Sequence, residues 1–457
     1  MEAISLRELL RGVAAPGFDA EITGVVTDSR AAGPGRVFVA IRGERVDGHD
    51  YAAKALAAGA AAVIAEHAVA GADPARVFAA PDGDAREALI RMAANYRARY
   101  APVVLGVTGS VGKTTTKEFC AAVFAAFGET VATEGNQNNE IGVPNTLFRL
   151  GAGTRYAVVE MGMDHMGDLH RLSPAVRPAA AVITRIGVSH IENLGSQDNI
   201  LTAKMQVCDG LPDDGLLVVN GDDERLAAVA APRQIRKVCF GVENPCAEVR
   251  ACAIMSNTQG QSFTICDRLY GDHDVTIPAV GRHNVYNALA AYTAATRLGL
   301  DAAAAAAALS AYRTTGMRQK LIERGGVQLI EDCYNANPDS MKAALEALGA
   351  IAGGGRRAAV LGDMLELGRI SDAAHLEVGR EAAAYGVDLL VTFGAGGALI
   401  ARGARQAGAA AVRHCESKQQ AAEVLRGWCR PGDTVLFKAS RGMKFEEIAE
   451  LYNGGPL

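Results

Sequence analysis

A glycine-rich stretch at residues 105–118, LGVTGSVGKTTTKE, contains the residue types that most directly suggest chemistry. It joins a strand-like apolar run to a helix-like run, where backbone N–H groups and a helix N-terminus favour a bound phosphate. Lys113 would add positive charge, and the Thr114 hydroxyl could ligate Mg²⁺. The spacing departs from an ordinary P-loop, because Gly106 and Gly112 have five residues between them instead of four. We predict a phosphate-binding loop, with a plain strand-to-helix turn as the alternative.

Three further charged or metal-binding residues could act beside this loop. Glu160 ends one strand-like run, and His190 follows the next one. Because parallel sheets bind ligands beyond the carboxyl ends of their strands, both side chains are candidate Mg²⁺ ligands. Lys204 lies fourteen residues after His190, on a helix expected to start near Gln197. The alternatives are a surface glutamate, a solvated or helix-capping histidine, and a solvent-facing lysine.

The composition argues against several classes of protein. The 457 residues are 49% hydrophobic and 21% charged, with a formal net charge of −5, which offers no broad basic surface for nucleic acid or an anionic membrane. The N-terminal run MEAISLREL lacks the regions of a signal peptide, and no run of about 18 strongly apolar residues occurs. Nine cysteines without a CxxC pair fit reduced thiols better than disulfides or a zinc site. We expect a cytoplasmic monomer without a membrane span.

The order of strand-like and helix-like runs predicts an α/β protein with three domains. Residues 1–83 form a small N-terminal α/β unit suited to binding substrate. In residues 84–312, near-continuous apolar runs alternate with helix-like runs, as in a P-loop-type ATPase domain with a parallel, helix-covered sheet. Within it, residues 247–280 are expected to be a short β insertion. Residues 313–457 alternate again and predict a Rossmann-like C-terminal domain.

Further motifs follow the loop in a fixed order: GNQNNEIGVPNTL (135–147), VEMGMDHMGDL (159–169), SHIENLGS (189–196), GRHNVYNALAA (281–291), GMRQ (316–319) and DCYNANPDSM (332–341). With the loop, they resemble the Mur ligases, the ATP-dependent enzymes of peptidoglycan precursor synthesis. That family's loop has the glycine spacing found here. The N-terminal TDSR (27–30) and the C-terminal KASRGMKFEEI (438–448) extend the resemblance over nearly the full length.

The resemblance implies roles at an ATP site. The loop backbone and Lys113 would hold the phosphates. Thr114 and Glu160 would bind one Mg²⁺, and His190 would help to bind a second. Lys204 would be carbamylated by CO₂ and become an anionic group near that metal, which requires a neutral amine and a depressed pKa. The residues implied to bind ATP are Gly109, Ser110, Val111, Gly112, Lys113, Thr114, Thr115, Asn287, Arg318, Asp332 and Asn335.

The resemblance also implies how the nucleotide and the substrate are oriented. Asn287 would face adenine, Arg318 the phosphates and Asp332 the ribose side. Three asparagines of the GNQNNE stretch would contact substrate beside the phosphates, Asn337 would help to close the site, and TDSR with the GERVDGHD turn (43–50) would meet the uridine diphosphate. The implied substrate-binding residues are Ser29, Arg30, Gly48, His49, Asp50, Asn136, Asn138, Asn139 and Asn337. Asparagine-rich turns are common, however, and TDSR alone could cap a helix.

Within the family, the motifs favour one reaction. The D-N-P-R/N motif that the diamino-acid-adding member usually carries in its third domain is absent, while DCYNANPDSM is present. Folylpolyglutamate synthetases, in turn, are not expected to carry the TDSR and GERVDGHD segments. The implied reaction joins D-Ala-D-Ala to the terminal carboxylate of a UDP-MurNAc-tripeptide through an acyl phosphate. Two rivals stay open at this point. One is a P-loop kinase or NTP hydrolase that stops at phosphoryl transfer, and the other is a nucleotide-regulated binding protein that tolerates loss of Glu160 and His190.

Overall fold

The computed structural model describes residues 1–43, 46–257, 260–352 and 354–454. In the N-terminal part, a parallel sheet of order β3-β4-β5-β6 lies beside a short antiparallel pair, β1-β2. This arrangement confirms the α/β character predicted for the N-terminal residues. The elements are β1 (Ile4–Ser5), α1 (Leu6–Leu9), β2 (Glu21–Ile22), β3 (Gly24–Val26), β4 (Arg36–Val39), α2 (Ala52–Ala57), β5 (Ala62–Ala65) and β6 (Val77–Ala79).

The central part is built on one large sheet of order β15-β14-β13-β12-β11-β10-β7-β9-β8. Its strands run parallel from β8 to β13. The elements are α3 (Ala85–Arg97), β7 (Val103–Thr108), α4 (Lys113–Ala125), β8 (Thr130–Ala132), α5 (Gly142–Leu147), β9 (Tyr156–Glu160), α6 (Asp168–Val176), β10 (Ala180–Ile183), α7 (Ile191–Leu194), α8 (Gln197–Met205), β11 (Leu216–Asn220), α9 (Glu224–Ala228), β12 (Arg236–Gly241), β13 (Val249–Asn257), β14 (Gly260–Asp267), β15 (Gly271–Ile277), α10 (Arg282–Arg297) and α11 (Ala302–Ala308).

The segment predicted as a β insertion continues this sheet. Strands β13, β14 and β15 pair antiparallel, and β13 joins the parallel strands through β12. Alternate side chains such as Phe263, Ile265 and Val275 are buried in the same core as α10 and α11. One apolar face packed on helices is therefore the reason that these strands extend the sheet instead of standing apart.

Helix α3 joins the N-terminal and central parts. The Asp84 carboxylate caps its first turn, and the Tyr96 hydroxyl donates a hydrogen bond to the Leu150 carbonyl at 2.8 Å. Apolar residues of α3 share one core with α1, α5 and α6. The boundary predicted between residues 83 and 84 thus falls at the start of a helix that packs on both parts, and it stays a prediction.

The C-terminal part is a sheet of order β16-β17-β21-β18-β19-β20, in which only β16 pairs antiparallel among the described strands. Together with the two preceding parts it confirms the predicted α/β class. Its elements are β16 (Lys320–Arg324), β17 (Val327–Glu331), α12 (Pro338–Ala352), β18 (Arg357–Leu361), α13 (Ser371–Ala384), β19 (Leu389–Phe393), α14 (Ala395–Gln406), β20 (Val412–Cys415), α15 (Lys418–Trp428), β21 (Thr434–Lys438) and α16 (Glu446–Tyr452).

The topology of the central sheet fixes where a ligand can bind. Strand β7 lies between β9 and β10: the chain leaves β7 through α4 towards β8 on one side, and the connection after β9 crosses to β10 on the other side. Such switch points form crevices beyond the carboxyl ends of the strands. Val107 pairs with Glu160, and Thr108 pairs with Ile183. The loop after β7 therefore starts beside Glu160 and beside the segment that leads to His190.

Two findings bear on the expectations from composition. Within the part of the chain that the structure describes, no helix combines the length and the apolar character needed to cross a membrane. Each of the nine cysteines is a free thiol.

A buried ion pair in the central part gives a test of the packing. Arg297, at the end of α10, donates two hydrogen bonds to Asp267 at 2.8 and 2.7 Å, and the two side chains are 5% and 0% exposed. We expect Arg297→Ala to lower the free energy of unfolding by about 3–5 kcal/mol, because it leaves a buried carboxylate unpaired. Urea unfolding followed by circular dichroism measures this change.

The control is Arg225→Ala, which removes a pair between Arg225 and Asp198 with side chains 41% and 84% exposed. An exposed pair contributes less than about 1 kcal/mol. Equal destabilisation by the two substitutions would contradict the structural role of the buried pair.

Candidate functional site

The glycine-rich loop is pressed against two neighbouring segments. Gly109 and Gly112 have φ of +144° and +83°, and Gly112 caps α4. A Cβ on Gly109 would lie 1.9 Å from Thr184 Oγ1, and one on Gly112 would lie 2.7 Å from Asn287 Oδ1. The Thr184 hydroxyl donates to the Val111 carbonyl at 2.5 Å. Both glycines are therefore required by close approach as well as by backbone conformation.

The third glycine explains the unusual spacing. Gly106 lies inside β7, where it pairs with Val159 on one side and Ala181 on the other. A Cβ there would lie 2.7 Å from the Met161 methyl group. Gly106 is thus a packing residue of the strand, and the loop itself contains Gly109 and Gly112. The five-residue spacing between Gly106 and Gly112 is therefore not a property of the phosphate loop itself.

Helix α4 starts with Lys113, which is partly buried, and Thr114, which is buried. The Lys113 Nζ donates to the Gly109 carbonyl at 2.9 Å. Burial lowers the pKa of Lys113, and Arg318 lowers it further, while the carboxylate of Glu160 opposes the shift. Ser110 Oγ is buried and has no hydrogen-bond partner among the described residues. A cation, hydroxyls and backbone N–H groups thus converge where an anion would bind.

The loop forms one wall of a cavity of about 570 Å³ between the central and C-terminal parts. Most of the residues predicted from sequence line it, including those from both sides of the cleft. The predicted residues along its walls are Ser110, Val111, Gly112, Lys113, Thr114, Thr115, Asn138, Asn139, Glu160, His190, Asn287, Arg318, Asp332, Asn335 and Asn337.

Glu160 has an unsatisfied oxygen inside this cavity. Its Oε1 accepts a hydrogen bond from Asn138 Nδ2 at 2.7 Å. Its Oε2 is buried, and no described residue donates to it. A buried carboxylate oxygen requires a cation or a donor. Together with the Thr114 hydroxyl it forms a set of hard oxygen ligands, which fits Mg²⁺.

His190 follows β10 in a left-handed conformation with φ of +61°. Its Nδ1 lies 3.2 Å from Asp164 Oδ1 and 3.0 Å from Glu366 Oε2. Burial, assisted by Lys113, lowers the pKa of His190 to about 4, while Asp164 opposes the shift. A neutral imidazole of this kind is the form that binds a metal.

Lys204 is buried on α8, with 1% of its surface exposed. Burial lowers its pKa well below the ordinary value, Lys113 lowers it further, and Asp164 opposes the change. The solvent-facing alternative for this lysine is wrong. Lys204 itself does not line the cavity, but Lys113 and Asp164, whose charges act on its pKa, do line it.

The far end of the cavity combines α10 with the C-terminal part. Asn287 Oδ1 accepts from Thr116 Oγ1 at 3.0 Å, which holds the amide beside the loop. The Arg318 guanidinium lies 3.8 Å from the centre of the Tyr334 ring. Asp332 Oδ2 accepts from Lys438 Nζ at 2.7 Å.

Several cavity residues were not singled out from the sequence: Asp164, His283, Asn284, Tyr334, Asp339 and Lys438. Only Tyr334 and Asp339 have a neighbour within two positions that was singled out, although all six lie within the motifs quoted from the sequence. Lys438, by contrast, is 106 residues from its partner Asp332. Position within the motifs was the available signal for most of them, whereas the Lys438 contact depends on the tertiary fold.

Other predicted residues lie away from this cavity. Gly109 is a buried residue of the loop that does not line the cavity, and Asn136 is exposed. Those predicted to meet uridine diphosphate surround the N-terminal sheet instead: Ser29, Arg30, Gly48, His49 and Asp50.

Local contacts define that N-terminal region. The exposed Arg30 pairs with Asp28 at 2.6 Å, and the Asp28 carboxylate also caps the turn, as the alternative interpretation of TDSR expected. His49 is buried, with Nδ1 2.5 Å from Asp47 Oδ1 and Nε2 accepting from the Glu66 N–H at 3.0 Å. Residues 44 and 45 of the GERVDGHD turn lie outside the described residues.

Family models match three segments of the chain. Residues 21–97 match the Mur ligase family catalytic domain, residues 107–295 the Mur ligase middle domain, and residues 317–441 the Mur ligase glutamate ligase domain. A UDP-N-acetylmuramoyl-tripeptide–D-alanyl-D-alanine ligase from Bacillus subtilis is 37% identical over 457 residues, which cover 99% of this chain and 98% of that protein. The chain belongs to the Mur ligase family.

Solved structures of Mur ligases share the whole architecture. MurF from Acinetobacter baumannii is 29% identical with a TM-score of 0.89, and the match covers 99% of both chains. MurF ligase from Thermotoga maritima, solved in complex with ADP, is 27% identical with a TM-score of 0.85 over 94% of this chain and 97% of that one. A UDP-N-acetylmuramoyl-tripeptide–D-alanyl-D-alanine ligase from Escherichia coli is 36% identical, and the match covers 83% of this chain and 82% of that protein.

Substitution of Gly112 tests the loop. We expect Gly112→Ala to weaken ATP binding by about 10-fold or more, because it adds backbone strain and a Cβ that collides with Asn287. Isothermal titration calorimetry with ATP and Mg²⁺ measures this affinity.

Gly299→Ala is the control, since Gly299 has φ of +89° and nothing lies within 4 Å of its added Cβ. It introduces comparable strain away from the cavity. If both variants bound ATP like the unmodified protein, the loop would not be the phosphate site.

Proposed function

We propose that this Mur ligase joins D-Ala-D-Ala to the terminal carboxylate of UDP-MurNAc-tripeptide at the expense of ATP. The products are UDP-MurNAc-pentapeptide, ADP and phosphate, and the reaction belongs to peptidoglycan precursor synthesis. The observation that carries the proposal is the cavity in which the phosphate loop and the unsatisfied Glu160 oxygen face the C-terminal part. The near-full-length relatives with this activity in their names support the choice of substrates.

The chemistry has to activate a carboxylate. A carboxylate is a poor electrophile, because oxide would have to leave. Transfer of the γ-phosphoryl group breaks the bond to ADP and forms an acyl phosphate, from which phosphate can leave. The free amine of the dipeptide then attacks the carbonyl carbon, a tetrahedral oxyanion forms, and expulsion of phosphate leaves a peptide bond. Positioning and charge neutralisation dominate catalysis of such a transfer.

The residues of the loop would hold the nucleotide. Backbone N–H groups at residues 109–115 and the Lys113 ammonium would bind the phosphates, and the phosphate charge would offset the desolvation that lowers the pKa of Lys113. Asn287 would face adenine, Arg318 the phosphates and Asp332 the ribose. Asn335, which lines the same cavity, would complete the nucleotide contacts.

Two metal positions are proposed beside the phosphates. Thr114 and Glu160 would hold one Mg²⁺ and His190 would help to hold a second, and bound Mg²⁺ neutralises the charge that accumulates between carboxylate and triphosphate. The neutral state of His190 suits this role.

Lys204 is proposed to carry a carbamate. Formation of a carbamate needs a neutral amine, and burial lowers the pKa of Lys204 in the required direction. The product is an anion beside Lys113 and near the proposed metal positions. Conversion of the neutral amine into an anion would give the Lys113 ammonium an opposite charge to pair with.

The remaining predicted residues would bind the UDP-tripeptide. Asn136, Asn138 and Asn139 would contact it beside the phosphates, while the N-terminal residues around TDSR and His49 would meet the uridine diphosphate. A nucleotide sugar and ATP as substrates fit a cytoplasmic location. Function as a monomer stays part of the proposal.

The C-terminal part would exclude water from the acyl phosphate. Asn337 Nδ2 donates to Ser189 Oγ at 2.7 Å, and Ser189 Oγ lies 3.3 Å from the Ser110 carbonyl. Arg185 and Asp339 add an ion pair of 3.3 Å across the same boundary. These contacts connect the C-terminal part to the phosphate loop, and closure over a reactive intermediate limits its hydrolysis.

The substrate dependence of ADP release tests the reaction. We expect rapid ADP release only when both UDP-MurNAc-tripeptide and D-Ala-D-Ala are present, because phosphate leaves in the step that the amine drives. A coupled assay for ADP, with each substrate omitted in turn, measures this dependence. ADP release at the full rate without the dipeptide would instead identify a kinase or an NTP hydrolase.

Lys204→Ala tests the carbamate. We expect activity to fall by about 10- to 100-fold, since an anion next to the metal is lost, and to recover in part with added acetate or propionate. Labelled bicarbonate should give a carbamate signal by NMR in the unmodified protein and none in the variant.

Lys237→Ala is the matched control, because Lys237 Nζ donates to backbone carbonyls of Leu226, Ala227 and Val229 outside the cavity. Its loss should lower stability without rescue by acids. Full activity of Lys204→Ala would remove the carbamate from the proposal and leave the reaction itself untouched.

A further inference from the structure

Two cysteines meet on the antiparallel strands that extend the central sheet. Cys252 lies on β13 and Cys266 on β14, and their Sγ atoms are 2.9 Å apart. We call these two residues the hairpin thiols. A disulfide has an S–S bond of about 2.05 Å, so the two sulfurs would have to approach each other by less than about 1 Å. Neither residue lines the large cavity beside the phosphate loop.

A β-bulge accounts for the close approach. Arg250 lies opposite Cys266 in the strand register. Cys252 lies opposite Thr264, so the hairpin thiols are diagonal neighbours, which usually stand about 7–8 Å apart. The register shifts after Cys252, and Ala253 has φ of +51°, a left-handed value that is unfavourable for a residue with a Cβ. Because a bulge re-aims the side chains beside it, this irregularity turns Cys252 towards its diagonal neighbour.

The hairpin thiols can be reached from solvent. Both are partly exposed, whereas four of the other seven cysteines are buried. Successive side chains of a strand point to opposite faces of a sheet. Since Ile265 is buried in the core beneath α10 and α11, Cys266 faces away from that core. A small reagent therefore reaches the pair without opening the packing of the helices.

A metal ion is the other ligand that two thiols suggest. Structural Zn²⁺ sites have four ligands, which are mostly cysteine and histidine. Within the part of the chain that the structure describes, no histidine, acid or further cysteine joins the hairpin thiols in a group of three that could hold a metal ion. Two sulfurs alone leave a metal site incomplete, whereas oxidation of the pair needs no third group.

The hydrogen bond between the hairpin thiols gives them different roles. The Cys266 S–H donates to the Cys252 sulfur, and a donated hydrogen bond favours the thiolate form of its acceptor. Burial raises the pKa of the Cys266 thiol, and the hydrogen bond to Cys252 raises it further. Cys252 is therefore the sulfur that attacks first, and Cys266 reacts second.

We propose that Cys252 and Cys266 form a modification site that a small-molecule disulfide oxidises to an intramolecular disulfide. The Cys252 thiolate attacks one sulfur of the reagent, forms a mixed disulfide and releases the first half of the reagent as a thiolate. Cys266 loses its proton to that thiolate, attacks the Cys252 sulfur and expels the second half. The two cysteines thus lose two electrons and two protons, and the reagent becomes two thiols.

The reduced pair is the resting form of this site. All nine cysteines are free thiols in the structure. In a reducing compartment, a disulfide of this kind forms transiently and is returned to thiols by exchange. When formed, it would connect β13 to β14 beside the bulge, where the ladder of the two strands is interrupted.

Mass spectrometry after oxidation tests the site. The full-length protein is treated with oxidised glutathione, the remaining thiols are alkylated, and digestion with trypsin gives a peptide of residues 251–268 that contains both hairpin thiols. This peptide should lack two hydrogen atoms and carry no alkylating group, and reduction with dithiothreitol should restore both thiols. A peptide that carries glutathione, or that is alkylated at both cysteines, would overturn the proposal.

Single substitutions separate the two roles. Cys266→Ser should keep glutathione on Cys252, because the second attack is missing. Cys252→Ser should acquire glutathione on Cys266 at least about 10-fold more slowly than Cys266→Ser acquires it on Cys252, since the first nucleophile is missing. The reverse order of rates would overturn the assignment of the attacking thiol.

The matched control is Cys239→Ser. Cys239 is also partly exposed and lies on β12 of the same sheet. This variant should form the disulfide in residues 251–268 at the rate of the unmodified protein. ADP release by all three serine variants reports an intact fold, because none of the three cysteines lines the large cavity. Loss of the disulfide in Cys239→Ser would overturn the pairing of the hairpin thiols.

Thermal unfolding measures the effect of the disulfide on the strands. Oxidation should raise the midpoint of unfolding of the unmodified protein by at least about 2 °C, because the cross-link restricts the unfolded chain. Cys252→Ser, treated in the same way, should show no such rise. An unchanged midpoint in protein shown to carry the disulfide would overturn the restraint across the bulge.

Discussion

The site depends on positive charge buried at one edge of the central sheet. Lys204 is buried and Lys113 is partly buried, and the pKa of each lies below its ordinary value, with desolvation as the main cause and Lys113 as a further cause for Lys204. A low-dielectric environment that contains two amines favours anions strongly. The loop supplies N–H groups towards the same place. Phosphate, carboxylate and carbamate are therefore the groups that such an environment stabilises. The carboxylates of Glu160 and Asp164 partly balance the positive charge of the site.

The C-terminal part completes this environment without contributing to the loop. Several of its contacts are made by the segment after β10, where Ser189 bridges Asn337 and the Ser110 carbonyl, and where His190 lies beside Glu366. A displacement of the C-terminal part would therefore be transmitted to the loop through few residues.

The sequence predicted the α/β class, the helix starts at Lys113 and Gln197, and most residues of the large cavity, because motifs on parallel strands converge at one sheet edge. It could not show that Lys204 is buried, since a helical lysine has the same pattern in either environment. It also could not pair Lys438 with Asp332 or Glu366 with His190, because these contacts join distant segments. The continuation of the sheet through β13 to β15 was missed for a similar reason. Strand alternation indicates a hairpin but not the sheet to which it is added.

The loop spacing now has a structural explanation. Gly106 is a strand residue whose missing Cβ accommodates the Met161 methyl group, and Met161 directly follows Glu160. Close packing there brings β9 towards β7, and the pairing of Val107 with Glu160 sets the carboxylate beside the start of the loop. A larger residue at 106 would push Met161 and, with it, the end of β9. Gly106, which departs from the ordinary P-loop spacing, thus helps to position Glu160, the proposed metal ligand. Gly109 and Gly112 instead shape the loop that is proposed to bind the phosphates.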